Sequence, residues 1–165
     1  SYVFDCPAGN SQGPPSDAGG NTRDVTCASS LETATIGQWV CEHRDPMIAA
    51  MVRFRRVVAG TGINNWWDDG ANAIAFSRGD RGFVAINRER AAVAATVATG
   101  MPPGTYCDLL TGGLAGTACA GTSVVVDATG AVQLRLEANS AVAIDAATVL
   151  AGVAVRIRPA SKGQP

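Results

Sequence analysis

Residues 64–87, reading NNWWDDGANAIAFSRGDRGFVAIN, restrict what this chain can fold into more than any other stretch. Short apolar runs alternate there with turn-forming residues, the pattern of a strand ladder. Residues 64–68 are extended and aromatic, and Asp69-Gly70 turns the chain. Residues 73–77 then place Ile74 and Phe76 on one face, at the period of two that a strand imposes. Arg78-Gly79-Asp80-Arg81-Gly82 makes a tight turn, and residues 83–86 return as a largely apolar strand.

The same pattern continues to residue 145. Strands are expected over 93–97, 106–110, 123–126, 132–137 and 141–145, with Met101-Pro102-Pro103-Gly104 and Ala128-Thr129-Gly130 as turns. Residues 132–137 alternate cleanly, Val132, Leu134 and Leu136 inward and Gln133, Arg135 and Glu137 outward, and Val142 and Ile144 repeat the inward phase. Seven or eight short strands at about ten-residue spacing predict a mainly β chain, a Greek-key antiparallel β-sandwich. Residues 153–157 read as one more strand, and 159–165 have linker composition.

The front of the chain obeys different rules. Residues 1–31 are rich in glycine, proline and polar side chains and read as a long loop with one short strand at 1–4. Loops of that length are uncommon inside a compact domain. One amphipathic helix is expected over 45–59, opened by Asp45 as cap and Pro46 at the first helical position. Ile48, Met51, Val52, Arg55 and Val58 form its stripe, interrupted by Arg55 and widened by Phe54 and Val57. Gly60 and Gly62 end it.

Composition excludes several partners. A hydrophobic content of 47% with 16% charged residues describes a chain that folds. The net charge is -1, Lys162 is the one lysine, and the arginines are scattered. Nothing there favours nucleic acid or an anionic membrane as partner. No run approaches the roughly 20 apolar residues of a membrane span, and no basic-then-apolar leader opens the sequence.

Five cysteines and one histidine leave little scope for a metal site. Cys107 and Cys119 flank eleven residues, and Cys27 and Cys41 flank thirteen. Zinc ligands stand roughly two to four residues apart, and one histidine cannot complete such a set. A disulfide closing a loop of this length contributes about 3 kcal/mol in the chain-entropy model and implies an oxidising compartment.

Asn65-Trp66-Trp67-Asp68-Asp69-Gly70 followed by Ala75-Phe76-Ser77-Arg78-Gly79-Asp80-Arg81-Gly82-Phe83 resembles the start of the C-terminal β-sandwich domain of family 13 α-amylases, in their animal-type group. The likeness continues upstream through Trp39-Val40-Cys41-Glu42-His43-Arg44 and downstream through Gly104-Thr105-Tyr106-Cys107-Asp108. It implies a division into residues 1–60, the last strand end, long βα loop and final helix of a (β/α)8 barrel; 61–150, the sandwich; and 151–165, an extension. It also implies the disulfides Cys27–Cys41 and Cys107–Cys119, with Cys6 left over, and secretion. The thirteen residues between Cys27 and Cys41 depart from the shorter loop of the animal enzymes.

The family's catalytic carboxylates lie upstream of the matched region, as do the residues that bind calcium and often chloride. The resemblance therefore carries no catalytic residue, metal ligand or cofactor onto this chain. Its partners would be the remainder of the barrel and, through the whole enzyme, starch or maltooligosaccharides.

Of the residues themselves, Trp66 and Trp67 are the candidates for sugar contact, because aromatic faces stack on pyranose rings. Neighbours in a strand point to opposite sides, so at most one ring belongs to the core and the other is open to solvent, with packing between domains the weightier alternative to sugar contact. Asp68-Asp69 is the one adjacent acidic pair flanking a turn, whereas a glycosidase holds two carboxyls about 5–9.5 Å apart on separate elements. His43 and Arg78-Gly79-Asp80 read as a structural hydrogen-bonding residue and a turn. The resemblance thus implies a structural C-terminal portion of a secreted α-amylase. The alternatives are a stand-alone carbohydrate-binding sandwich, and an adhesive domain using the Arg78-Gly79-Asp80 turn.

Overall fold

A computed structural model describes residues 1–4, 15–30 and 32–151. Cys6 and the elements expected over 153–157 and 159–165 lie outside the described residues. The chain divides into two units, Ser1–Arg56 and Val57–Pro165.

The first unit is held by a short extended segment around Trp39. Val3 N–H donates to the Gln38 carbonyl and Val40 N–H to that of Ser1, while on the other side Trp39 N–H donates to Thr26 and Ala28 N–H to Trp39. Tyr2 thus bridges Trp39 antiparallel and Cys27 bridges it parallel. The rings of Tyr2, Phe4 and Trp39 meet edge-on at 5.0 and 5.4 Å. The Cys27–Cys41 disulfide closes this arrangement.

Helix α1 spans Pro46–Val57. Asp45 caps it, its Oδ1 accepting from Met47 N–H at 2.9 Å and Ile48 N–H at 3.0 Å, two of the donors a helix start leaves free. Ala50 and Phe54 are its buried residues, while Met47, Ile48 and Val52 are exposed. The stripe expected from periodicity therefore splits. Phe54, which only widened it on paper, is buried, and the Ile48–Val52 side is open.

The second unit is antiparallel throughout. Strands β1 (Ile63–Asp68), β2 (Ala73–Arg78), β3 (Gly82–Asn87) and β10 (Ser140–Asp145) form one sheet in the order β1-β2-β3-β10. Facing it are two ribbons, β4 (Val93–Ala98) with β9 (Ala131–Leu136), and β5 (Gly104–Cys107) with β8 (Ser123–Val126). The two-residue strands β6 (Leu114–Ala115) and β7 (Ala118–Cys119) pair inside the loop closed by Cys107–Cys119. Among the described residues, eight strands thus build the sandwich. The pairs β3–β10, β4–β9 and β5–β8 are nested, so the chain runs as one long two-stranded ribbon folded over itself, which brings non-consecutive strands together as a Greek key requires.

Register selects the core. Trp67, Ala75, Ala85 and Val142 lie in one row across the first sheet, and Ser77, Phe83 and Ile144 in the next. Val93, Ala95 and Val97 stand opposite Leu136, Leu134 and Val132 in the β4–β9 ribbon. Of these residues all but Ser77 and Val93 share a single cluster with Val126 and Tyr106. Each fully buried side chain of this size contributes about 1.5–3 kcal/mol. In β2 it is Ala73, Ala75 and Ser77 that face inward; Ile74 and Phe76 occupy the opposite, half-buried side.

One expected strand is cut short. The strand read over 106–110 ends at Cys107, because Asp108 caps a 3-10 turn over Leu109–Thr111 by accepting from Leu110 N–H. A tight turn joins β8 to β9, yet the two strands do not pair along their length, and a groove of about 740 Å3 opens there, lined by Val124, Leu134, Val142 and Glu137 among others.

Candidate functional site

The first edge strand carries a bulge. Asn64 stands opposite Ser77 and Trp67 opposite Ala75, so two residues, Asn65 and Trp66, face the single Phe76. Asn65 absorbs the extra residue in the left-handed region, with φ 49°, and its Nδ2 donates to Ser77 Oγ at 2.8 Å. An αL residue at the first bulge position is the arrangement of a G1-type bulge, filled here by asparagine in place of glycine, and a bulge bends the strand and re-aims the next side chain.

The outcome is a division of labour between the two tryptophans. Trp67 packs against the sandwich core. Trp66 lies outside, 57% exposed, with its ring stacked on Phe76 at a centroid distance of 6.0 Å and an interplanar angle of 13°. Its indole Nε1–H donates to Asp68 Oδ2 at 2.9 Å. Asp68 Oδ1 accepts from Gly70 N–H. The ring is thereby fixed from below by Phe76 and from its edge by Asp68.

Asp69, beside it, works as a turn residue. Its carboxylate accepts from Ala71 and Ala73 N–H, and those backbone bonds hold its pKa below the ordinary 3.8. Asp68 and Asp69 are therefore committed to one turn rather than set across a cleft. Arg78 donates through Nη2 to the Thr61 carbonyl, and Arg81 N–H donates back to Arg78 across the Gly79 turn, so the tripeptide's arginine is tied into the fold. His43 sits exposed in the 3-10 turn Glu42–Arg44. Both expected disulfides are present, with Cα separations of 5.6 and 5.1 Å. Among the described residues no group of three or more His, Cys, Asp or Glu stands where it could hold a metal ion.

Two residues that pattern reading passed over do much of the fastening. Asn87 is fully buried, and its Nδ2 donates to the carbonyls of Ala91, Leu136 and Glu137 while its Oδ1 accepts from Glu89 N–H. It ties the first sheet to the end of β9. Asp108, also buried, accepts through Oδ1 from Ala143 N–H on β10 and through Oδ2 from Thr122 Oγ1. It closes an open sheet edge with a side chain. The first unit offers a different surface: Met47, Ile48, Met51, Val52 and Arg55 line a shallow apolar depression of about 410 Å3 on α1.

These features describe a disulfide-stapled, all-β sandwich module with an aromatic edge. The chain belongs to the α-amylase C-terminal all-beta domain family, which matches residues 64–147. It is 43% identical over 125 residues to an alpha-amylase of Acarus siro, a match covering 75% of this chain and 24% of that protein. It is 39% identical over 128 residues to the pancreatic alpha-amylase of Struthio camelus, covering 78% and 25%. The crystal structure of alpha-amylase I from Eisenia fetida in complex with maltohexaose is similar at a TM-score of 0.69 and 38% identity, over 81% of this chain and 27% of that one. The chain thus spans about a quarter of the length of the relatives it matches, and the matches run well outside the sandwich.

Proposed function

We propose that this chain is the C-terminal portion of a secreted α-amylase, with a structural role: it supplies the sandwich and the closing elements of a (β/α)8 barrel. On this reading residues 1–60 complete the barrel, 61–150 form the supporting sandwich and 151–165 extend it. The observation that carries the reading is the family match over 64–147 combined with matches to whole α-amylases that continue upstream. The open apolar side of α1 supports it, because a helix normally buries such a stripe against a partner. The two disulfides fit an oxidising, extracellular setting.

The whole enzyme hydrolyses internal α-1,4 bonds of starch and related glucans with retention, through two carboxylates carried on other parts of the protein, where the family's calcium site and often a chloride site also lie. This chain has Asp68 and Asp69 engaged in a turn, and alone it is inactive. Reducing ends released from soluble starch by the purified 165-residue chain measure this directly. No release above buffer is expected, and sustained turnover abolished by no barrel-removing purification step would overturn the reading. A free-standing carbohydrate-binding module is the second reading, favoured by exposed Trp66, but it gives no use to the apolar side of α1.

A further inference from the structure

We infer that the bulged edge of the sandwich is an auxiliary α-glucan contact, with Trp66 as the stacking platform and Asp68 as its hydrogen-bonding rim. The inference rests on the starch-degrading reading for the identity of the sugar, and on geometry for the site. A pyranose ring has an apolar C–H face and a polar hydroxyl edge, so its simplest binding surface is a flat aromatic face beside a hydrogen-bond acceptor.

Trp66 provides the face. One side of its ring is stacked on Phe76 at 13°, and 57% of the residue remains exposed. The ring is rigid before any ligand arrives, since Phe76 supports it and Asp68 holds its Nε1–H. Little freedom is then lost on stacking, which is the advantage of a preorganised surface. Asp68 provides the acceptor. Each of its oxygens accepts one bond from the protein, Oδ2 from Trp66 and Oδ1 from Gly70, and a carboxylate has about four acceptor positions, so two remain for sugar hydroxyls.

The bulge is the device that builds this surface. Asn64 and Trp67 pair with inward-facing residues, and the additional residue at Asn65 allows Trp66 to turn outward while Trp67 stays in the core. The patch bears the charge that neutral hydroxyl donors favour: Asp68, Asp69 and Glu89 stand around the turn, Glu89 accepting from Asn72 N–H. One ring on one tryptophan corresponds to weak binding, with a dissociation constant of roughly 1 mM.

The test is titration of the 165-residue chain with maltoheptaose, followed by tryptophan fluorescence and calorimetry, beside cellohexaose as a β-linked control. A saturable signal for maltoheptaose is expected, weakened at least about tenfold by Trp66→Ala, which corresponds to roughly 1.4 kcal/mol. Val125→Ala, on the exposed side of β8, should leave binding unchanged. Circular dichroism on the Trp66→Ala chain separates lost binding from lost fold, and Asp68→Asn, which keeps an acceptor oxygen, reports on the rim without removing the platform. Absence of a saturable signal up to about 20 mM, where a site of this strength is nearly filled, overturns the site and leaves the amylase reading standing. Binding retained in Trp66→Ala overturns it equally. Cellohexaose bound at Trp66 with maltoheptaose ignored overturns the α-glucan assignment of the site.

Discussion

At the scale of single residues, the turns of the sandwich are fastened by carboxylates. Asp69 accepts from two backbone N–H groups after β1, and Asp127 accepts from Thr129 N–H, Thr129 Oγ1 and Ala131 N–H in the turn between β8 and β9. Those bonds lower both pKa values below the ordinary 3.8. A depressed carboxylate pKa stabilises the fold above the unfolded value, and the gain disappears as pH falls through the folded value. Replacing both residues, Asp69→Asn with Asp127→Asn, should therefore lower stability at neutral pH and flatten its dependence as pH falls through and below the ordinary value of 3.8. Urea unfolding at a series of pH values reads this out.

Residues also show what a sequence conceals. The alternation of Val132, Leu134 and Leu136 was legible because period two is a property of the segment itself. In β2 the same alternation revealed two faces but not which was inward. Ile74 and Phe76 are the bulkier pair, yet Ala75 and Ser77 line up with Ala85 and Phe83, and it is pairing with β3 and β10 that decides. Asn87 and Asp108 were invisible for a related reason. Their partners on β9 and β10 lie 49 and 35 residues along the chain, and no local pattern encodes such contacts.

At the scale of elements, the loop between β5 and β8 depends on a covalent tie. Cys107 is fully buried at the end of β5, and Cys119 belongs to the two-residue strand β7, which has only β6 as a ladder partner. Inside it, Gly121 admits no side chain: a Cβ there would stand 2.1 Å from the Thr111 carbonyl oxygen. Replacing the pair, Cys107→Ser with Cys119→Ser, should reduce unfolding free energy by about 3 kcal/mol, through a larger unfolded-state entropy and a poorly packed buried hydroxyl. Chemical denaturation should show a lower midpoint with hydrogen-exchange protection lost first over 108–122. The helix carries local signals, Asp45-Pro46 at its start and Gly60 beyond its end, and these mark its bounds to within two residues. Which side it buries was not local, since Phe54 rather than Ile48 finds cover.

At the scale of the whole molecule, the exposed side of α1 and the sandwich call for separate experiments. The double variant Ile48→Glu with Val52→Glu places charge in the apolar depression without touching the buried Ala50 and Phe54. It should leave thermal unfolding of the sandwich within about 0.5 kcal/mol of the parent, as surface substitutions do. On the proposed reading it should also abolish co-purification with a separately expressed catalytic barrel. Retained association after this change would place the contact elsewhere.

The nested order of strands has a consequence for synthesis. β3 emerges early, but the neighbour that completes its sheet, β10, is the last of the described strands, and β4–β9 and β5–β8 must both lie between them along the chain. Loop closure over such distances is slow. On a translating ribosome the three strands β1–β2–β3 wait with one side unmatched until Asp145 has cleared the exit tunnel, so the interval most exposed to misassembly is set by the position of β10 rather than by the stability of the finished fold.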